Sequence, residues 1–418
     1  MCHATILLAA LAALHSRQTP LQGQTSLTLE DALLEAHTAN AQLPLAALEA
    51  RIGLARLREA RGALGPRLSL DGDLHGGNPE KYAGSDGRLQ LLALQPIYDG
   101  GALRAGVAVL RAETDASQAR YRIAEKDLEV QVRVGFATVL ELDTAIAVRR
   151  EGVSRLRTYL AAVQARLAAG EGITNDLLKT RVQLGDAEAA VADAVRLRDQ
   201  ARLTLNDLLG RDPSAPLVLA PLPPPTPPPD SIPETWALAP DVRVAEAEAA
   251  AARSGVAVIA ADRRPHLDLE VNAGAQPAFG TFGTGINNGQ GWGTELFLSL
   301  NWPLFDAGGY RARRDQARLR VDQAGRADIA ARRQARLAWS VARVELTARY
   351  GEVEARARTA AVAEDSYLAS QSLYRGGAAT ALDVLEAYAT WVAASEAVVE
   401  AVFNYHVAEA ELLRWGTP

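Results

Sequence analysis

A duplication limits what this chain can fold into more than any other feature. Gln95-Pro96-Ile97-Tyr98-Asp99-Gly100-Gly101 returns as Trp302-Pro303-Leu304-Phe305-Asp306-Ala307-Gly308-Gly309, with Pro96 to Pro303 and Asp99 to Asp306 both 207 residues apart. Gly170, Asp176 and Leu178 match Gly377, Asp383 and Leu385 at the same offset of 207. A third pair, Pro66 and Pro265, stands 199 apart, so the second copy carries an insertion between its prolines, as a lengthened loop would give. The copies meet in a stretch, 213–240, that holds Pro223-Pro224-Pro225 and Pro227-Pro228-Pro229. Such a run favours extended polyproline and acts as a semi-rigid spacer. The expected organisation is a removable leader over 1–25, a first repeat over 26–212, the linker over 213–240 and a second repeat over 241–418.

Each repeat reads as helix, strand, loop, strand, very long helix, tight turn and returning helix. The opening helix is expected from about Leu29 to Leu64, started by a Thr28/Asp31 capping box and broken or kinked at Pro44. Strands are expected over about 66–75 and 88–97, then over about 265–275 and 294–304. Their apolar and polar residues alternate. Leu267, Leu269, Val271 and Ala273 lie on one face, and His266, Asp268, Glu270 and Asn272 on the other. In the last strand Leu296, Leu298, Leu300 and Trp302 alternate with Glu295, Phe297, Ser299 and Asn301. A period of two with one apolar face suits a strand between lipid and water, and equally a half-buried soluble sheet.

Long helices are expected over about 100–169, 174–209, 308–375 and 381–415. The first keeps a heptad through Leu128, Val132, Val139, Leu142, Ile146, Val153, Leu156, Leu160, Val163 and Leu167, interrupted at Gly135 and Arg149. A heptad sustained over this length means a left-handed supercoil against neighbouring helices. The returning helix carries smaller residues at matching spacing, among them Ala187, Val191 and Ala194.

Four strands cannot close a barrel, and open sheet edges are not tolerated in lipid. Two chains would give eight strands, whose interior side chains fill. Three would give twelve, wide enough for a channel. Charge argues against other functions. Lys and Arg number 44 against 50 Asp and Glu, which leaves no basic stripe for nucleic acid. Cys2 is the single cysteine and the six histidines are scattered, so neither a disulfide nor a zinc site is expected. No catalytic constellation stands out, and neither an enzyme nor a cofactor is expected. Ile6 to Leu14 reads as the apolar segment of a secretory signal, although Met1 to Thr5 lacks a Lys or Arg. Gly280 to Gly293 breaks the phosphate-loop pattern and reads as an extracellular loop. Trp292, Phe297, Trp302 and Phe305 stand near the strand ends, where an interfacial aromatic girdle or ordinary packing would place them.

From Leu27-Thr28-Leu29-Glu30-Asp31-Ala32-Leu33 onward the chain resembles the TolC-like outer-membrane factor family. The junctions at Pro96, Asp99, Pro303 and Asp306 resemble that family's strand-to-helix joints. Tyr374-Arg375-Gly376-Gly377-Ala378-Ala379-Thr380-Ala381-Leu382-Asp383 resembles its periplasmic tip. The resemblance implies a mainly α fold with a small transmembrane β part. A long coiled-coil α-barrel would join four strands per protomer that contribute to a twelve-stranded barrel in a homotrimer. It implies a Gram-negative outer-membrane location with the helices in the periplasm, and a passive conduit of a tripartite efflux or type I secretion system. The partners would be outer-membrane lipid, a periplasmic adaptor (a membrane fusion protein) and, through it, an inner-membrane transporter.

It also implies residue roles. Gly170, Gly377 and Thr380 would belong to the tips where an adaptor docks. Tyr374, Asp383, Glu386 and, in the first repeat, Asp176 would belong to the aperture, where three copies of the acidic residues favour cations. Thr380 and Asp383 also fit a capping box. Ala379 stands at the family's aperture arginine position, with Arg375 as a candidate substitute. A periplasmic coiled-coil adaptor or structural protein would explain the heptads alone, but not the duplicated alternating strands.

Overall fold

The computed structural model describes residues 26–77, 84–229, 232–276 and 291–416. The expected leader and most of the glycine-rich segment lie outside the described residues. The elements are α1 (Leu29–Ala39), α2 (Leu43–Gly62), β1 (Arg67–Gly77), β2 (Gly84–Tyr98), α3 (Ala102–Ala168) and α4 (Thr174–Leu208). They continue with α5 (Pro240–Ala261), β3 (His266–Gln276), β4 (Gly291–Asn301), α6 (Gly309–Arg375) and α7 (Ala381–Gly416). α3 and α6 have 67 residues each, on the order of 100 Å of helix. β4 ends at Asn301 because Pro303 cannot donate to a ladder.

The chain divides into two compact units. One takes Ile123–Ala239 and Gln334–Pro418 with the chain up to Leu45; the other takes Ala46–Arg122 and Pro240–Arg333. Each unit thus draws on both sequence repeats.

The second unit contains the sheet. Its order is β1-β2-β3-β4, and every neighbouring pair is antiparallel. Register sorts the two faces. Leu70 lies opposite Leu91, Leu91 opposite Ala273, Val271 opposite Leu296 and Leu269 opposite Leu298. On the opposite face the register sets Asp71 opposite Gln90, Asn272 opposite Glu295 and Asp268 opposite Ser299. Leu92 and Leu94 interrupt the polar face, paired with Asn272 and Glu270. A bulge between Pro96 and Tyr98 closes the β2–β3 ladder. Beside the sheet, α5 is tied to α3 by Arg120–Glu248 and to α6 by Arg332–Glu246.

The first unit is helical. Thr28 starts α1: its Oγ1 accepts from Asp31 N–H at 3.1 Å and donates to Asp31 Oδ2 at 2.6 Å. The opening helix is two helices, because Asn40 stops the first and caps the second. Its Oδ1 accepts from Gln42 and Leu43 N–H at 2.8 and 3.3 Å, and its Nδ2 donates to the Leu208 carbonyl at 3.0 Å. Pro44 then occupies the first turn of α2, where a missing N–H costs nothing.

The heptad of α3 is buried at Leu128, Val132, Val139, Ile146, Val153, Leu156 and Val163. Its two exceptions have partners. A Cβ at Gly135 would stand 3.4 Å from Leu205 Cδ1, so the glycine lets α4 come close. Arg149 Nε donates to Glu396 at 2.6 Å, and its Nη1 to the Ala190 carbonyl at 2.9 Å, linking α3 to α7 and α4. The linker segment is held at several points, and a short 3-10 helix forms at Trp236–Leu238. Leu27 bridges to Leu219, and Tyr405 Oη on α7 donates to the Thr226 carbonyl at 3.0 Å.

Replacing Asn40 by alanine removes all three of its side-chain hydrogen bonds. The loss should cost about 2–3 kcal/mol and lower the thermal midpoint of the helical circular-dichroism signal in detergent. Glu141 on α3 carries a second expectation. Burial, with Glu400 as a like-charged neighbour, pushes its carboxyl up to about 7. The folded chain keeps this proton up to about pH 7, while the unfolded chain releases it near 4.5. Stability is therefore lost as pH rises through that window. Glu141→Gln should remove this loss, on the order of 1 kcal/mol at pH 8 after allowing for partial solvation. Melting curves of variant and parent should converge near pH 4 and separate at pH 8.

Candidate functional site: the helical tip and the open sheet

Two regions carry the residues singled out by the sequence, and each lies within one unit. At the tip, α3 turns into α4 through Gly170 and α6 turns into α7 through Gly377. Both glycines adopt positive φ, 78° and 76°. Both turns close in the same way. Glu171 N–H reaches the Arg166 carbonyl at 3.0 Å, and Ala378 N–H reaches that of Leu373 at 2.9 Å. This is the glycine-terminated end that satisfies the last carbonyls of a helix.

The two tips differ at the next residue that matters. In the second, Thr380 and Asp383 form a reciprocal capping box. Asp383 Oδ2 accepts from Thr380 N–H and Oγ1, each at 2.7 Å, and Thr380 Oγ1 accepts from Asp383 N–H at 3.3 Å. In the first, Ile173 stands where Thr380 stands, its side chain 66% exposed, and it makes no capping bond. Asp176 therefore sits in the first turn of α4 without a capping partner.

Asp383 and Glu386 are exposed one turn apart on α7. Tyr374 is placed differently. It is 4% exposed, its ring packs edge-on against Tyr159 at 5.3 Å, and Arg166 lies over it at 4.8 Å. Arg166 Nη1 also donates to the Tyr374 carbonyl at 2.7 Å. Tyr374 thus joins the helix ends within the protomer. Arg375 bonds to Gln371 on its own helix at 3.0 Å.

Sequence reasoning missed the aromatic layer beneath the tip. Tyr367 stacks on Trp391 at 5.8 Å, and Arg155 sits 4.0 Å over the Trp391 ring. Arg155 also reaches Glu364 on α6 at 2.7 Å and Glu151 on its own helix at 2.9 Å. Tyr367 and Tyr374 are seven residues apart on α6, and that spacing was the available signal.

At the sheet, Asp99 and Asp306 cap the helices that leave it. Asp99 Oδ1 accepts from Gly101 N–H at 2.9 Å and Oδ2 accepts from Leu103 N–H. Asp306 Oδ2 accepts from Tyr310 N–H. The apolar face is bare: Leu70 is 67% exposed, Leu296 69% and Leu298 63%. Beyond the strand ends Trp302 and Phe305 are exposed as well, the former donating Nε1 to the Arg263 carbonyl at 3.2 Å. Among the described residues, no helix is long and apolar enough to cross a membrane.

The capping box gives a test by pH. Accepting from the Thr380 N–H and hydroxyl holds the Asp383 carboxyl below its usual value. The stabilisation is present above the ordinary aspartate range and is lost as pH falls through the depressed value. Thr380→Ala should speed amide exchange at the start of α7 at neutral pH, and the difference from the parent should shrink in acid.

Comparison with known proteins agrees with this architecture. The chain is 25% identical over 409 residues to the outer membrane efflux protein BepC of Brucella suis, covering 94% of this chain and 87% of that one. Its fold matches the crystal structure of the outer membrane protein VceC of Vibrio cholerae with a TM-score of 0.81 at 20% identity, over 93% of this chain and 96% of that one. It also matches the open state of the Neisseria gonorrhoeae MtrE outer membrane channel with a TM-score of 0.78 at 20% identity, over 93% and 88%. The outer membrane efflux protein family matches residues 24–211 and 232–415, nearly the whole chain in two halves. With the duplicated hairpins and long helices, that match makes the chain a member of the outer membrane efflux protein family.

Proposed function

We propose that three copies of this chain close their sheets into one twelve-stranded barrel in the outer membrane, and that their helices form a passive periplasmic conduit continuous with it. The observation that carries this reading is the open four-stranded sheet with a bare leucine face. Water disfavours a contiguous apolar surface of this kind, whereas lipid accepts it once the edges are paired. Four strands per chain and a channel-sized barrel require three chains.

In this reading a periplasmic adaptor seats on the tips at Gly170, Gly377 and Thr380, and joins the conduit to an inner-membrane pump. Exposed Asp383 and Glu386, with Asp176 in the first repeat, present carboxylates to the aperture and favour cations there. Tyr374 holds α6 to α3 and so fixes where the second tip stands. Energy comes from the pump, and the chain itself performs no chemistry. Two names support the reading: BepC is called an efflux protein, and MtrE a channel with an open state.

The two faces of β4 give the experiment. Leu298→Arg places a cation on the lipid face and should cost about 2–4 kcal/mol at mid-depth. The variant should be depleted from the outer-membrane fraction. Ser299→Arg, on the opposite face, should still insert, and should alter single-channel conductance in a planar bilayer. Normal insertion of Leu298→Arg, or a parent protein that conducts no ions, would contradict the channel.

A further inference from the structure

The apolar face of the sheet runs on into an arginine-rich junction. Leu296, Leu298 and Leu300 are followed at the same spacing of two by Trp302, 55% exposed, and beyond it stand Leu304 and Phe305, the latter 89% exposed. The Trp302 indole is fixed by one end, its Nε1 donating to the Arg263 carbonyl at 3.2 Å. A ring with an apolar body and one bonded polar end suits a boundary between lipid and water. Arg263, just ahead of β3, holds its guanidinium over the Tyr310 ring, 5.2 Å from its centroid. Tyr310 stands in the first turn of α6, and Arg314 lies one turn further on the same side of that helix.

Charge at this junction is out of balance. Residues 309–320 hold five arginines, at 311, 313, 314, 318 and 320, against one acid, Asp315. Arg313 is paired, with Asp262 and Asp306 at 3.5 Å each. Arg263, Arg311, Arg314 and Arg318 are exposed, and none of them makes an ion pair among the described residues. Arg314 repels Arg311 at three positions' distance and Arg318 at four, and the start of a helix disfavours positive charge. The protomer alone gains nothing from this arrangement, whereas an external anion would relieve it.

The first repeat serves as an internal control. At the offset of 207, Trp302, Tyr310 and Arg314 correspond to Gln95, Leu103 and Val107, and at the offset of 199 Arg263 corresponds to Leu64. Arg104 and Arg111 stand at the positions of Arg311 and Arg318. That junction also passes from strand to aspartate-capped helix. The strand-to-helix turn therefore does not require Arg263, Arg314 or the two rings beside them.

We propose that Arg263 and Arg314, set beside Trp302 and Tyr310, hold the phosphate of an anionic phospholipid in the periplasmic leaflet of the outer membrane. This rests on the channel reading above, in which the helices leave the sheet on the periplasmic side, and it names the lipid class at that boundary. A guanidinium offers a phosphate two parallel N–H donors. Arginines at a membrane surface favour an anionic leaflet. Exposed Leu304 and Phe305 at the same junction offer apolar surface to acyl chains. A lipid uses both the charged and the apolar part of this surface, and a free anion only one.

The full-length protein in mild detergent gives the test. Native mass spectrometry should show the trimer retaining phosphatidylglycerol in preference to phosphatidylcholine of the same acyl chains. The preference should weaken as salt is raised. Arg263→Gln with Arg314→Gln should lower it on the order of tenfold, and the variant should still form trimers and conduct. Arg104→Gln with Arg111→Gln, which removes as much charge from the first junction, should leave the preference unchanged. Conducting trimers of the parent with no such preference, or equal losses at the two junctions, would overturn the site and leave the channel reading standing. Displacement of the lipid by millimolar inorganic phosphate would overturn it too, by assigning a free anion to the arginines. A parent protein that neither forms trimers nor conducts would overturn both readings.

Discussion

Backbone hydrogen bonding at β1 and β4 sets the condition that the rest of the molecule has to meet. Each edge strand is paired on one side only, and between them lies a face of leucines that no described element covers. In water the face is the liability; in lipid the edges are. A single chain resolves neither. The duplication bears on the same constraint: each repeat supplies one hairpin, and in the proposed trimer three chains would close the ring with every edge paired to a neighbour of the same sequence.

The helices translate that requirement into length. α3 and α6 are capped where they leave the sheet by Asp99 and Asp306, and they run without a break to glycine-terminated turns. Their packing rests on buried apolar residues at heptad spacing. Gly135 admits Leu205, while Arg149 replaces an apolar residue and fastens three helices. Beneath the tip an aromatic and arginine layer packs α3, α6 and α7 together. Exposed carboxylates at Asp383 and Glu386 stand in the first turns of α7 above it.

Much of this architecture was legible in the sequence because it rests on periodicity. The 207-residue offset marks both junctions and both tips, alternation sorts the strand faces, and the α3 heptad marks its buried row. Three features were less legible. Asn40 reads as an ordinary polar residue until its carbonyl partner on α4, 168 positions away, is known. Pro44 signals a break, but the break lies before it, because proline is welcome in a first turn. Tyr374 was marked by its position at the tip, but its edge-on contact with Tyr159 is not shown by spacing alone. The unlike tips, Thr380 capped and Ile173 exposed, were visible as letters but acquired meaning only with the capping geometry.

Native mass spectrometry of the protein extracted from outer membranes in a mild detergent tests the central claim most directly, because it counts chains without assuming a shape. The account predicts an assembly of three identical chains, carrying twelve strands, that persists until the detergent is stripped at high collision energy. A monomer, or an assembly whose strand count cannot close a channel-sized barrel, would contradict it.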